Sequence, residues 1–130
     1  RLKTDFEALT KFSKPLITPA SSIPKDILNL LSSIELLDYG LSVQANQLKY
    51  KKTSCILSSS LVIGYALAVV SSGKAKRLLL AGFDGYSLDN PLRIENDIIF
   101  KSHQEIDSSV DITSVTPTLY NINSTSIYAI

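Results

Sequence analysis

The sequence predicts an α/β domain in which short strands alternate with helices, and three observations support that class. Hydrophobic residues make up 45% of the 130 positions and charged residues 19%, which is enough apolar material for one folded core. Strand-like and helix-like segments alternate along the chain, as they do in parallel sheets. The apolar run at 77–81 ends at Gly82 and fits a strand buried on both faces. We therefore expect an open, mostly parallel, Rossmann-like sheet with helices on both faces.

The first half of the chain alternates between apolar periodicity and turn-forming residues. Ser21–Pro24 has the composition of a helix start, and Gly40 interrupts an otherwise extended segment. The predicted elements are an N-terminal amphipathic helix or linker at 1–14, a strand at 16–17, a helix from Pro24 to about 33, an extended segment at 36–43 and a strand at 53–57.

The second half predicts two longer helices and two strands, at 77–81 and 110–115. The first helix covers 61–72, with the hydroxyls of residues 58–60 as caps and Gly73 as its end. The second helix begins at Asn90-Pro91. Because the helix at 61–72 has almost no polar face, we expect it to be buried on more than one side. Either a neighbouring domain or subunit, or the loops of the same domain, can supply that cover.

Composition excludes several classes of partner. The net charge of +1 gives no strong field for nucleic acid, and the basic clusters at 49–52 and 74–77 are interpreted as solvated ends of elements. No apolar run reaches the roughly 20 residues of a membrane span, and no signal peptide is visible. The chain contains no methionine, so we interpret residues 1–130 as a single domain cut from a longer protein.

The single cysteine and the single histidine limit the chemistry of the domain. Cys55 cannot form an internal disulfide, which favours a cytoplasmic location, and it is expected in the core. One cysteine and one histidine cannot make a Cys/His zinc site, and His103 is expected to face solvent. The sequence lacks the dinucleotide, P-loop and nucleophile-elbow motifs. No catalytic residue and no metal ligand is therefore predicted.

Three polar loops are expected at the carboxyl ends of strands, where ligands of open α/β sheets bind. Residues 58–60 can hold an anion at a helix start, or act only as caps. In the loop 82–86, Asp84 can accept hydrogen bonds from ribose or sugar hydroxyls or hold a metal; alternatively, it only shapes its own turn. Residues 116–120 follow the last strand and should border the same crevice.

Arg93 lies near these loops, at the start of the second long helix. It can pair with Asp84 or with a ligand phosphate, and a surface ion pair is the plainer alternative. The predicted ligand-binding residues are Ser58, Ser59, Ser60, Gly82, Asp84, Gly85, Tyr86, Arg93, Thr116, Thr118 and Tyr120.

The stretch L-L-L-A-G-F-D-G-Y at 78–86 also carries a family resemblance. Together with L-V-I-G-Y-A-L-A at 61–68, S-V-T-P-T-L-Y at 114–120 and S-I-Y-A at 126–129, it resembles the C-terminal domain behind HMG-CoA-lyase-like (DRE-TIM) aldolase barrels. That group is often named 4-hydroxy-2-oxovalerate aldolase-like, and its members tend to belong to surface-polysaccharide and sugar-acid gene sets. The resemblance covers roughly residues 15–130.

The resemblance implies an N-terminal catalytic barrel in the same chain, which would hold the divalent metal and perform the aldol chemistry. The domain itself would then have no cofactor and no aldolase activity. The arrangement is more remotely similar to the MptE-like pyrophosphokinase and bacterial sialyltransferase group, whose Rossmann-like domains hold a nucleotide. Residues 58–60 depart from that group, since serines stand where a glycine-rich turn is expected.

The leading expectation is thus a non-catalytic accessory domain of a carbohydrate-associated aldolase that binds a nucleotide or a sugar-like metabolite. One alternative is a structural module that forms a homo-oligomer through the apolar helix at 61–72. A second alternative is a nucleotide-sugar-type transferase domain.

Overall fold

The computed structural model describes residues 8–9, 11, 14–106 and 110–129, and this part of the chain is a mixed α/β structure without a closed barrel. It divides into two compact units, residues 1–41 and 42–130. That residues 1–130 form a single domain remains a prediction, because this division does not test it. Most of the N-terminal helix or linker expected at 1–14 lies outside the described residues.

The first unit contains a strand–helix–strand motif. Strands β1 and β2 pair in parallel, with Leu16 opposite Leu36, so the helix between them forms a crossover. The backbone N–H of Ser21 donates to Asp38 Oδ1 at 3.2 Å, which ties the connection to β2. The elements are β1 (Leu16–Thr18), a short 3-10 helix (Ala20–Ser22), α1 (Lys25–Leu30) and β2 (Leu36–Asp38).

The extended segment expected at 36–43 forms two strands, and the break falls at Tyr39 rather than at Gly40. The N–H of Tyr39 donates to Thr18 O at 3.1 Å, and the Tyr39 side chain is buried. Strand β3 (Gly40–Val43) follows directly, and the boundary between the two units falls within it. The segment is thus interrupted at a buried tyrosine and not at the glycine.

The remaining strands lie in two small sheets, ordered β3-β5-β4 and β6-β7-β8. Strands β4 and β5 form an antiparallel hairpin, whereas β6, β7 and β8 are parallel. The elements are β4 (Lys49–Tyr50), β5 (Ser54–Leu57), α2 (Val62–Ser72), β6 (Arg77–Leu80), α3 (Pro91–Gln104), β7 (Asp111–Ser114), β8 (Asn123–Ser124) and a 3-10 helix (Ile127–Ala129).

Helix α3 is the crossover between the parallel strands β6 and β7. It begins where Asn90 Oδ1 accepts a hydrogen bond from Leu92 N at 2.9 Å and Pro91 occupies the first turn, so the helix start predicted there is confirmed. Parallel pairing is also confirmed for these strands, while a single Rossmann-like sheet stays a prediction. No helix in the described ranges is long and apolar enough to cross a bilayer.

The expectation that β6 is buried on both faces is wrong. Leu78 and Leu80 pack against the core, but Arg77 is exposed and Leu79 retains 39% of its surface. Successive strand residues point to opposite faces, and only one face of β6 carries the core. Residues 78–81 are all apolar, yet their burial alternates from one residue to the next.

The core of the second unit lies between α2, α3 and the parallel sheet. Gly64 allows α2 and α3 to approach closely, because a Cβ there would lie 3.3 Å from Ile99 Cδ1. The buried cluster consists of Ile63, Leu67, Ile99, Phe100, Ile112 and Tyr120. Along α2, Val62 at the helix start is 83% exposed, whereas Ile63 to Ser72 are buried or half-buried.

The buried face of α3 differs from the isoleucine stripe in the sequence. Ile94 and Ile98 are largely exposed, whereas Asn96 and His103 are buried beside Ile99. Polar side chains can occupy a core when their hydrogen bonds are made, and both of these have partners. Because Asn96 and His103 are polar, hydrophobicity alone does not identify the buried face of α3.

The solvent-facing position expected for His103 is therefore wrong. Its side chain is 1% exposed, with Nδ1 2.8 Å from Tyr50 Oη and Nε2 2.9 Å from Val110 O. The carbonyl can only accept, so Nε2 carries the proton and Nδ1 accepts from the tyrosine. The core position expected for Cys55 is confirmed.

Candidate functional site

Two loops leave the same edge of the parallel sheet and bond to each other. The 82–86 loop follows β6, and the 115–122 loop connects β7 to β8 without a helix. Val115 N donates to Leu80 O at 2.8 Å, and Leu119 N donates to Asp84 O at 2.7 Å. These bonds extend the pairing of the strands beyond the sheet, so the two loops form one ledge at the carboxyl ends of β6 and β7.

Thr116 and Thr118, both expected to border the crevice, fasten this ledge with their side chains. Gly82 N donates to Thr116 Oγ1 at 2.9 Å, and Thr118 Oγ1 donates to Phe83 O at 2.8 Å. The structure thus brings both threonines to the 82–86 loop. Their hydroxyls are engaged in shaping the loop, which gives them a positioning role.

Arg93 holds the same two loops from the side of α3. Its Nη1 donates to Tyr86 O at 3.1 Å and its Nη2 donates to Leu119 O at 2.9 Å. Its Nε lies 3.7 Å from Asp97 Oδ2, one helical turn along, in a weak ion pair. No pairing with Asp84 is formed. The guanidinium is a bidentate clamp on two carbonyls, one from each loop.

A cavity of about 400 Å³ lies between the first turn of α2 and the 82–86 loop. It is lined by residues 61–63 and 82–86, with Asn96 and Tyr120, and is called the front cavity below. Of the predicted site residues, the structure brings Gly82, Asp84, Gly85, Tyr86 and Tyr120 to this lining. The lining combines an apolar wall with one carboxylate, two phenols and one amide.

The back of the front cavity is fixed by buried polar and aromatic contacts. Asn96 is 3% exposed, and its Nδ2 donates to Tyr120 Oη at 3.1 Å. Phe83 packs on Tyr120 with ring centroids 5.3 Å apart and meets Phe100 edge-on at 5.9 Å. Asn96 is absent from the predicted site residues, although it lies three and four positions before Ile99 and Phe100, on the same helix face.

The two glycines of the 82–86 loop both have left-handed backbone angles, with φ of +69° at Gly82 and +104° at Gly85. At Gly85 an added Cβ would lie 3.0 Å from Leu119 Cβ, whereas at Gly82 it would meet nothing within 4 Å. Gly85 is therefore required by both its conformation and its surroundings. The close approach of Gly85 to Leu119 lets the two loops of the ledge pack tightly against each other.

The serines at 58–60 do not cap α2, so the predicted N-cap is wrong. Leu61 is the capping residue, and no side-chain hydrogen bond is made to the helix start. The hydroxyls lie one or more positions too early along the chain to reach the first N–H groups. The three serines precede Leu61 but are not part of the front-cavity lining. Ser59 Oγ is buried without a hydrogen-bond partner among the described residues.

The charge of the front cavity favours hydroxyl groups over phosphates. Among its described lining residues, Asp84 is the only charged side chain. A carboxylate accepts hydrogen bonds from hydroxyls and repels an anion at short range. The first turn of α2, which also borders the cavity, presents backbone donors that complement an acceptor oxygen.

The single cysteine and the single histidine of the chain, Cys55 and His103, lie outside the front-cavity lining. Burial raises the pKa of the Cys55 thiol to about 11, so little thiolate exists at neutral pH. Burial lowers the pKa of His103, and both of its ring nitrogens are engaged by protein groups. Neither residue belongs to the front-cavity lining.

Comparisons of the chain with protein-family models, with curated proteins and with solved structures gave no match. The geometry of the front cavity is thus the basis on which a function is assigned.

Proposed function

We propose that this chain is a non-catalytic, cytoplasmic accessory domain that binds a nucleoside-like or sugar-like metabolite in the front cavity. The observation that carries the proposal is the combination of an apolar and aromatic wall with a single carboxylate at the carboxyl ends of parallel strands.

The size and lining of the front cavity support a small ligand with one apolar face. Its volume of about 400 Å³ falls at the lower end of the range typical of ligand sites, which suits a nucleoside or a monosaccharide. Phe83 and Tyr86 offer aromatic faces to a base or to the C–H face of a sugar ring. Tyr86 is 42% exposed, so part of its side chain is accessible to a ligand.

Asp84 supplies the polar recognition in this proposal. Its backbone carbonyl is bonded to Leu119 N, which fixes the loop at the residue that carries the carboxylate. Among the described residues no donor is bonded to the carboxylate itself, so the turn does not depend on it. That favours ligand contact over the alternative in which Asp84 only shapes its own turn. A vicinal pair of hydroxyls would satisfy both carboxylate oxygens.

The proposed context is the one that the A-G-F-D-G-Y resemblance implies. In it, the domain is Rossmann-like and follows an aldolase barrel of the same chain, and the barrel holds the divalent metal and performs the aldol reaction. The metabolite bound at the front cavity would then regulate or position the barrel. The parallel strands β6 and β7, joined by α3, support the Rossmann-like part of the proposal.

The two alternative functions have weaker support. The oligomerisation module was suggested by the apolar composition of α2, but burial of Ile63, Gly64, Leu67 and Ala68 inside the unit accounts for most of it. The transferase alternative requires a general base at the ligand, and Asp84 is the one side chain of the described lining that offers such a group.

A thermal-shift series tests the proposal. Adenosine, uridine, their monophosphates, a nucleotide sugar and methyl glucoside are each added to the wild-type chain. A compound present at 100 times its Kd should stabilise the fold by about 2.7 kcal/mol. Asp84→Asn should abolish the effect, whereas Asp89→Asn, an isosteric change of an exposed carboxylate outside the lining, should retain it. If no compound stabilises the chain, or if both variants respond alike, the proposal fails.

A further inference from the structure

A second cavity, of about 870 Å³, lies at the opposite end of α2 and is lined by lysines from two distant parts of the sequence. Lys52 comes from the turn between β4 and β5, and Lys74 and Lys76 follow the end of α2. The same lining contains Ser71. It is called the lysine cavity below. The fold thus joins two basic clusters that the sequence presents as separate solvated segments.

Specific hydrogen bonds bring the two clusters together. The turn between β4 and β5 is closed by Lys51 N, which donates to Ser54 O at 2.8 Å. Ser72, the last residue of α2, donates its Oγ to Lys51 O at 2.8 Å. The turn is therefore anchored to the helix end, so Lys52 is held beside the residues that follow α2.

Lys74 occupies a backbone position that glycine ordinarily fills. Lys74 N donates to Ser71 O and Ala75 N donates to Val70 O, both at 3.0 Å, which is the bonding of a Schellman helix end. In that motif the left-handed residue follows the C-cap, and here it is Lys74, with φ +55°, rather than Gly73, with φ −74°. A lysine stands where a glycine would cost less, and its side chain lines the cavity.

Among the residues that the structure describes, no carboxylate is paired with the lysines of this cavity. Within the described ranges, neither Lys52, Lys74 nor Lys76 forms an ion pair. Ser71 Oγ is buried and has no hydrogen-bond partner among the described residues. The carboxyl end of α2 carries about half an elementary negative charge, which repels an anion. The positive charge of the three ammonium groups is larger than this negative charge.

We propose that the lysine cavity binds the phosphate groups of a small phosphorylated metabolite. Three ammonium groups provide donors for several phosphate oxygens, which suits a diphosphate better than a single carboxylate. This site is separate from the front cavity, because the 11 residues of α2 between them span about 16 Å. The proposal does not depend on the function proposed for the front cavity.

Binding of inorganic pyrophosphate to the whole chain, measured by calorimetry at low ionic strength, tests this site. We expect saturable binding that weakens at least about ten-fold in Lys52→Gln/Lys76→Gln, because two charged contacts are lost. Lys49→Gln/Lys101→Gln is the matched control, since it removes the same charge outside the cavity and should change Kd by less than about two-fold. Absence of saturable binding, or equal weakening by both variants, would overturn the proposal.

Lys74→Gly separates a role in binding from a role in folding. Glycine relieves the left-handed strain, so the variant should melt at a higher temperature than the wild type and yet bind pyrophosphate more weakly. Unchanged affinity in a stabilised Lys74→Gly would contradict the site. Binding to vesicles that contain phosphatidylserine, without binding to pyrophosphate, would also overturn it, because a membrane surface would then be the partner.

Discussion

Gly85→Ala, compared with Gly82→Ala, is the sharpest test of how the 82–86 loop is built. Both glycines have positive φ, but only Gly85 lies against another side chain. At Gly82 the cost is the left-handed conformation alone, about 1 kcal/mol. At Gly85, with φ +104°, backbone strain of about 1–2 kcal/mol adds to the displacement of Leu119, whose Cβ would lie 3.0 Å away, at about 1–2 kcal/mol.

We therefore expect Gly85→Ala to lower the free energy of unfolding by about 3 kcal/mol, roughly 2 kcal/mol more than Gly82→Ala. The loss of unfolded-state entropy on replacing glycine is the same in both variants, so it cancels in the difference. Urea unfolding followed by circular dichroism measures both, because the chain has no tryptophan for fluorescence. If Gly85→Ala is no less stable than Gly82→Ala at equal m-values, the close packing of the two loops is refuted.

Three further predictions concern side chains outside the 82–86 loop. Arg93→Gln should lower the unfolding free energy by about 2 kcal/mol, because two charged hydrogen bonds to carbonyls are lost, and Arg93→Lys should recover less than half of that in the same urea series. Burial holds the pKa of His103 below its ordinary value of 6.5, so the folded state binds fewer protons than the unfolded state. The stability that the buried, neutral His103 contributes is therefore fully present above the unfolded-state pKa of 6.5 and should be lost as the pH falls from about 7 to about 5. This pH dependence of the unfolding free energy should vanish in His103→Gln, and a dependence that persists would contradict the burial. Lys74→Gly should raise the unfolding free energy by about 1 kcal/mol, and a decrease would argue against its left-handed conformation.

The elements that the sequence predicted well are those determined by neighbouring residues. The start of α3 follows from Asn90 and Pro91, whose capping and ring geometry act within one turn. The end of α2 follows from Gly73, although the left-handed position belongs to Lys74. Placing the 82–86 loop at a strand end was equally local, because Gly82 directly follows an apolar run.

The features that the sequence could not predict depend on partners far along the chain. His103 is buried because Tyr50, 53 positions earlier, supplies a hydrogen bond that a helical pattern does not reveal. Arg93 clamps carbonyls of two different loops, and no spacing rule distinguishes this from a surface ion pair. In the same way, Lys52 and Lys74 line the same cavity only because the hairpin turn is anchored to the end of α2.

The central claim is that the front cavity takes a neutral ligand that carries hydroxyl groups, and an amide chemical-shift titration of the chain with adenosine tests it most directly. The account predicts saturable shifts concentrated at residues 61–63 and 82–86, absent in Asp84→Asn and retained in Asp89→Asn. Shifts that are absent, that are scattered over the surface, or that survive unchanged in Asp84→Asn would contradict it.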